Sequence, residues 1–207
     1  HAHFIGRCLR SLLSQTMDRR DFEILVVNDA SIDNTEFTLD LFIDPNDSLI
    51  RVINNKKNLG LPASLNIAIK SCHSEYIVRV DSDDFVNHHF LNFLYQYLKY
   101  NQKVDAVACD YFLVDEEEEV IKRVNCDEEP IACGILFKKK HIIEIGMYDE
   151  NFRCHEEREF RKRFEKQFSI KRLDIPLYRY RRHKENLTNN IKLMNKYEID
   201  LLKKHGN

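Results

Sequence analysis

In Tyr76-Ile77-Val78-Arg79-Val80-Asp81-Ser82-Asp83-Asp84 an apolar run rich in β-branched residues stops abruptly at three carboxylates within four positions. Such a run reads as a buried strand, and in an open α/β sheet ligands bind just beyond the carboxyl ends of the strands. Three acids this close repel one another unless something positive compensates them. A hard divalent cation, Mg²⁺ or Mn²⁺, takes oxygen ligands and is held by one or two carboxylates together with substrate phosphates, which suits a short D-x-D turn. The plainer alternative is that Asp84 caps a helix beginning near Val86 while its neighbours are solvated.

Strand and helix patterns alternate on either side of this segment. Ile5, Cys8, Leu9, Leu12 and Leu13 share one helical face within Phe4 to Thr16, and Phe22 to Val27 reads as a strand running into a loop. Apolar runs recur at Leu49 to Ile53 and Val104 to Cys109, with helical spacing over Leu61 to Ile69 and Phe90 to Leu98. The alternation predicts an α/β domain with a mostly parallel sheet flanked by helices. From about Asp110 the rhythm is less regular. Tyr111 to Val114 and Val120 to Val124 flank the acids of Asp115 to Glu119 like a hairpin around a solvated turn. Then come a strand or loop at Ala132 to Phe137, helices near Lys140 to Ile145 and Glu156 to Gln167, an extended stretch from Ile170 to Tyr180, and a last helix from about Asn190 to Lys204.

Composition narrows the class. The 207 residues are 43% hydrophobic and 32% charged, with 5 Gly and 4 Pro, which fits one compact domain and excludes disordered and collagen-like chains. A net charge of −2 without a basic block argues against nucleic acid as a partner, even with Arg179, Arg181 and Arg182 close together. Six cysteines with no C-x-x-C pair read as free thiols in a reducing compartment. No apolar stretch is long enough to span a bilayer, so a cytoplasmic protein is expected.

Three further segments carry candidate chemistry. Val27-Asn28-Asp29-Ala30-Ser31-Ile32-Asp33-Asn34-Thr35 follows a strand; Asp29 could bind a base or ribose, while Ser31 or Asp33 could equally cap the next helix. Glu156 and Glu157 stand at the start of a helix, where the macrodipole favours acids, although one of them could act as a general base. Tyr178-Arg179-Tyr180-Arg181-Arg182-His183 is a basic, aromatic cluster, readable as a surface stripe or as a phosphate and metal clamp.

Taken in order, these segments resemble the family 2 glycosyltransferases of the GT-A (Rossmann-like) fold. Val27 to Thr35 is similar to the family's V-D-D-G-S-x-D-x-T loop, and Asn58-Leu59-Gly60 with Asn66 to its N-x-G and later Asn. Asp81-Ser82-Asp83-Asp84 resembles the D-x-D-D metal turn, and Gly134 with the Ile145-Gly146-Met147-Tyr148-Asp149-Glu150 segment resembles the acceptor-side loop. Glu156-Glu157 stands in place of the family's E-D pair, and Tyr180-Arg181-Arg182-His183 in place of its Y-R-x-H.

The resemblance implies one glycosyltransferase domain over residues 1–207, with a nucleotide-sugar-binding half (1–109) and an acceptor-side half (110–207). It implies an inverting transfer from a nucleoside diphosphate sugar, of the UDP type, to a hydroxyl of a glycan or lipid-linked acceptor in surface polysaccharide synthesis. Peripheral association with the inner membrane face would follow. Glu157 then takes the base position and Glu156 a positioning one. Asp83, Asp81 and His183 hold the cation, while Asp29, Ser31, Asn58, Gly60, Asp81 and Arg181 contact the donor. Two departures stand out. Glu157 replaces the usual Asp, lengthening the base by one methylene. The family's first strand has no counterpart, so a sheet lacking a central strand and an N-terminally incomplete sequence are expected. The competing classes are a sugar nucleotidyltransferase, whose glycine-rich loop would fall near that N-terminus, and a non-catalytic nucleotide- or carbohydrate-binding module.

Overall fold

The computed structural model describes residues 2–152, 154–184, 186 and 191–206, without the side chains of 191–196 and 200. The expected start of the last helix at Asn190 lies outside the described residues. Helix α1 (Ala2–Leu13) buries Ile5 and Leu9 against β1 (Ile24–Asn28), α2 (Thr35–Asp40) and β2 (Ile50–Asn54), while its buried Cys8 reaches the Asp81 carbonyl. Strands β1 and β2 pair in parallel and form a two-stranded sheet of their own. Helix α3 (Leu61–Ser71) follows and leads into β3 (Tyr76–Val78).

The larger sheet has the order β3-β7-β5-β8-β4, with β4 Phe85–Val86, β5 Ala106–Val114, β7 Ile135–Lys138 and β8 Ile170–Arg181. Strand β6 (Val120–Val124) pairs with the second half of β5 as the expected hairpin. The α/β class stands, but the expectation of a mostly parallel sheet is corrected. β5 and β8 run parallel, whereas β7 enters between β3 and β5 antiparallel to both, and β4 is antiparallel to β8. The cause is the hairpin after β5, which returns the chain so that β7 lies beside β5 without a helical crossover.

Residues alternate across β5. Val107, Cys109 and Tyr111 pack on Phe90, Leu94 and Leu98 of α4 (Phe90–Tyr100), while Ala106 and Ala108 face Phe160 and Phe164 of α6 (Glu156–Phe164). The two runs expected around Asp110 are a single strand. The Asp110 carboxylate accepts from Arg172, Arg123 and the Cys126 N–H, so burying it does not end the strand, and the pairing with β8 shifts register there, opposite Pro176. Helices α5 (Lys139–Glu144) and α7 (Ile191–His205) complete the fold. All six cysteines are free thiols, five of them buried. Among the described residues no helix is long and apolar enough to cross a membrane.

The two sheets leave between them a cavity of about 570 Å³. Its lining includes the apolar Leu9, Val26, Leu65 and Val78 and the acidic Asp81, Asp83, Glu156 and Glu157.

Candidate functional site

The acidic turn after β3 is fixed from β8. Asp84 is 2% exposed and accepts from the Tyr178 hydroxyl (2.7 Å) and the Arg181 backbone N–H (2.7 Å), while the Asp81 N–H donates to the same Tyr178 oxygen (3.1 Å). Burial, reinforced by Asp81 and Asp83, pushes the Asp84 carboxyl well above its ordinary range. Asp84 is therefore a bolt between the turn and β8, which overturns its reading as a helix cap: Phe85–Val86 is strand, and α4 begins at Phe90. Gly134 closes this core. Its φ is +72°, its N–H donates to the Arg79 carbonyl (3.2 Å), and a Cβ there would meet Tyr178 Cδ2 at 3.3 Å.

The glutamate pair reaches the same cavity from the other side. Glu156 opens α6 and is buried, accepting from Arg79 Nη1 (3.1 Å). Arg79 also grips Asp81 through Nε (2.6 Å) and Nη2 (2.9 Å). Burial raises the Glu156 carboxyl to about 7; Arg79 opposes the rise and Glu157 adds to it. Burial also works to raise Asp81, yet the charge and hydrogen bonds of Arg79 overcome it and hold that carboxyl below its ordinary range. Glu157 lines the cavity without a hydrogen bond to Arg79. His155, just before the pair, is left-handed (φ 58°), and its buried Nδ1 has no hydrogen-bond partner among the described residues.

At the far side of the turn, Asp83 Oδ2 lies 2.9 Å from His183 Nε2 and 3.5 Å from Asn186 Nδ2. A carboxylate oxygen and an imidazole nitrogen converging beside a cavity fit a divalent cation. A second cluster, Asp81, Asp84 and Cys133, brings its ligand atoms within 4.8 Å of one another. That cluster fits an ion poorly. Asp84 is bonded to Tyr178 and Arg181, Asp81 is bonded to Arg79, and burial raises the Cys133 thiol.

Other expected contacts lie elsewhere. The Asp29 carboxylate accepts from Leu59 N–H (2.9 Å), Gly60 N–H (2.8 Å) and Asn55 (2.8 Å), so it shapes the loop before α3; Asn58 donates to the Asp29 carbonyl (3.4 Å). Ser31 is exposed, its N–H tied to Asn28. Arg181 is 3% exposed, and its guanidinium donates to the Asp83 and Glu116 carbonyls and to Glu118, so the structure shows it bracing the acidic turn. Glu118 is thereby drawn out of the solvated turn expected for this run and also pairs with Arg7. The sequence points to no role for Arg79 or His155, and Tyr178, expected in a surface stripe or a phosphate and metal clamp, instead lies buried against the acidic turn. Arg79 carried a signal, a charged side chain inside an apolar strand run, which demands a buried partner.

The arrangement of strands and helices that brings these acids to the glutamate pair is the GT-A fold, shared with solved sugar-transferring enzymes. The mannosyltransferase PcManGT from Pyrobaculum calidifontis, in complex with GDP-Man and Mn²⁺, matches 99% of this chain and 60% of its own with TM-score 0.77 at 16% identity. TarS from S. aureus, in complex with UDP-GlcNAc, matches 97% of this chain and 63% of its own with TM-score 0.75 at 19% identity. Within that class the chain belongs to glycosyl transferase family 2, whose model matches residues 2–169. The poly(ribitol-phosphate) beta-glucosyltransferase of Bacillus spizizenii is 39% identical over 99 residues, 47% of this chain and 16% of that protein. The chain spans from 16% to 59% of the length of the curated relatives it matches.

Proposed function

We propose that the protein transfers a sugar, with inversion, from a nucleoside diphosphate sugar of the UDP type to a hydroxyl of a glycan or lipid-linked acceptor. The observation that carries this reading is the convergence of Asp81 and Asp83 from the strand-end turn with Glu156 and Glu157 from α6 on one cavity. The names of the relatives support the donor and acceptor classes: TarS is solved with UDP-GlcNAc, and the Bacillus relative acts on poly(ribitol-phosphate). A surface-polymer acceptor would bring the protein to the cytoplasmic face of the membrane as a peripheral partner.

Glu157 removes the proton of the acceptor hydroxyl, and the oxygen attacks the anomeric carbon as its bond to the diphosphate breaks. A single displacement of this kind inverts the anomeric configuration. Glu156 is held by Arg79 and keeps the first turn of α6 in place. Asp83 and His183 would hold a divalent cation, Mn²⁺ or Mg²⁺, with Asp81, clamped by Arg79, in the same turn; when bound, the cation supplies Lewis-acid stabilisation of the departing diphosphate. Asp29 and Ser31 after β1, with Asn58 and Gly60 before α3, make up the two joined loops given to the nucleoside, and Gly134 the turn beneath the acceptor side.

The test is calorimetric binding of UDP, GDP and CDP with and without Mn²⁺, on the wild type and Asp83→Ala. Metal-dependent binding of one nucleotide that the substitution abolishes is expected. Equal binding by Asp83→Ala would remove the cation from this position, and no binding of any nucleotide would favour a carbohydrate-binding module.

A further inference from the structure

Arg79 sits where the donor-side turn and the acceptor-side helix meet, and its planar fork is divided between them. Nε and Nη2 hold the two oxygens of Asp81 at 2.6 and 2.9 Å, and Nη1 holds Glu156 at 3.1 Å. The arginine side chain is 13% exposed and that of Glu156 7%, so water does little of the solvation here. Two carboxylates brought this close in a low-dielectric site repel unless a cation lies between them. A guanidinium fixes distance as well as charge, because its donors are rigidly coplanar, which an ammonium on a flexible stem does not reproduce.

We infer that Arg79 is a positioning residue for the transfer reaction: it sets the register of helix α6 against the turn after β3, and so places Glu157 relative to the donor. The inference rests on the transferase reading above. Glu157 adjoins Glu156 in the first turn of α6, where His155 already holds a left-handed backbone and no side-chain cap fixes the entry. His155 and Arg158 reach Glu198 away from the donor turn, and the ion pair from Glu156 to Arg79 ties the first turn of α6 to that turn. Arg79 is itself fixed, since its carbonyl accepts from Gly134 N–H and its side chain is clamped by Asp81. A displacement of about 1 Å in a reacting group costs on the order of a hundredfold in rate. A single guanidinium thus carries geometry from the donor turn to the base.

The experiment compares wild type, Arg79→Lys, Arg79→Met, Glu156→Gln and the double variant Arg79→Met/Glu156→Gln. Transfer is followed with the UDP-sugar that the wild type uses, and thermal unfolding is recorded for each protein. Arg79→Met is expected to lower kcat at least thirtyfold, with a smaller fall in UDP–Mn²⁺ affinity because Asp81 also loses its clamp, and Arg79→Lys to recover only part of the loss. Glu156→Gln, which leaves that clamp in place, is expected to change UDP–Mn²⁺ affinity less than threefold. A general loss of fold would lower turnover and donor binding together, so a loss in kcat that exceeds the loss in affinity separates positioning from unfolding. In unfolding, Glu156→Gln is expected to restore much of the melting temperature lost in Arg79→Met, because it removes the carboxylate left without its cation. Strictly additive melting shifts, or a kcat within twofold of wild type in Arg79→Met, would overturn the inference while leaving the transferase reading intact. A wild type that binds nucleotide but transfers no sugar would overturn both.

Discussion

Arg79 Nη1 and Glu156 Oε1 lie 3.1 Å apart, and this contact joins the end of β3 to the start of α6 across the cavity. Its consequence is a division of labour between the adjacent glutamates. Both line the cavity, but Glu156 is tied to a guanidinium and buried, whereas the Glu157 side chain is 33% exposed. On the proposed reading, the residue that approaches an incoming hydroxyl is the second of the pair.

Glu157→Gln should therefore lower kcat by about 10²–10⁴, the usual contribution of a positioned base, with donor affinity close to that of wild type. Glu156→Gln should cost less, because an amide oxygen can still accept from Arg79. Steady-state kinetics on the two variants with one donor decides the order of effects. If Glu156→Gln proved the more damaging, its pKa of about 7 would make it the base.

The same group makes stability depend on pH. The carboxyl of Glu156 rises from 4.5 to about 7 on folding, through burial that Arg79 only partly offsets. Between those values the folded chain binds more of its proton than the unfolded chain does. The contribution is thus fully present below about 4.5 and is lost as pH rises through 7, amounting to on the order of 3 kcal/mol. Urea unfolding at pH 5 and pH 8 should show wild type losing stability across this interval more steeply than Glu156→Gln. Parallel slopes would count against the raised carboxyl.

The parts of this arrangement that sequence reveals are those set by near neighbours. The spacing of Ile5, Cys8 and Leu9 gives α1, and the apolar run broken by Asp81, Asp83 and Asp84 marks the end of β3. What escapes is set by partners far along the chain. Arg79 finds Glu156 across 77 positions and Asp84 finds Tyr178 across 94, so a bolt looks like a cap until β8 is seen beside the turn. Strand direction is hidden for a similar reason: the local pattern of β7 does not say that it inserts between β3 and β5. Six-residue α2 and two-residue β4 are too short for periodicity to register.

Tyr178 ties the acidic turn to the sheet through one oxygen, donating to Asp84 and accepting from the Asp81 N–H. Tyr178→Phe keeps the ring but leaves both groups without that partner in a buried setting. A loss of about 1–3 kcal/mol is expected in denaturant unfolding. Because Asp83 sits in the same turn, UDP–Mn²⁺ affinity should fall with it. A variant that loses stability but binds UDP–Mn²⁺ as wild type does would show that the turn keeps its shape without the tyrosine.

Gly134 offers a sharper probe of the same packing. Its φ of +72° is a conformation that L side chains adopt at a cost, and the added methyl of Gly134→Ala would press on the Tyr178 ring at 3.3 Å. The ring is fully buried, with its hydroxyl committed to Asp84, so it has little room to yield. Strain and crowding together should destabilise the protein by about 1–3 kcal/mol. Gly146 is also left-handed (φ +88°), but a methyl added there would meet nothing within 4 Å, so it separates the two contributions. Gly146→Ala should show the backbone cost alone, and a Gly134→Ala loss no larger than that of Gly146→Ala would mean that the Tyr178 contact relaxes freely.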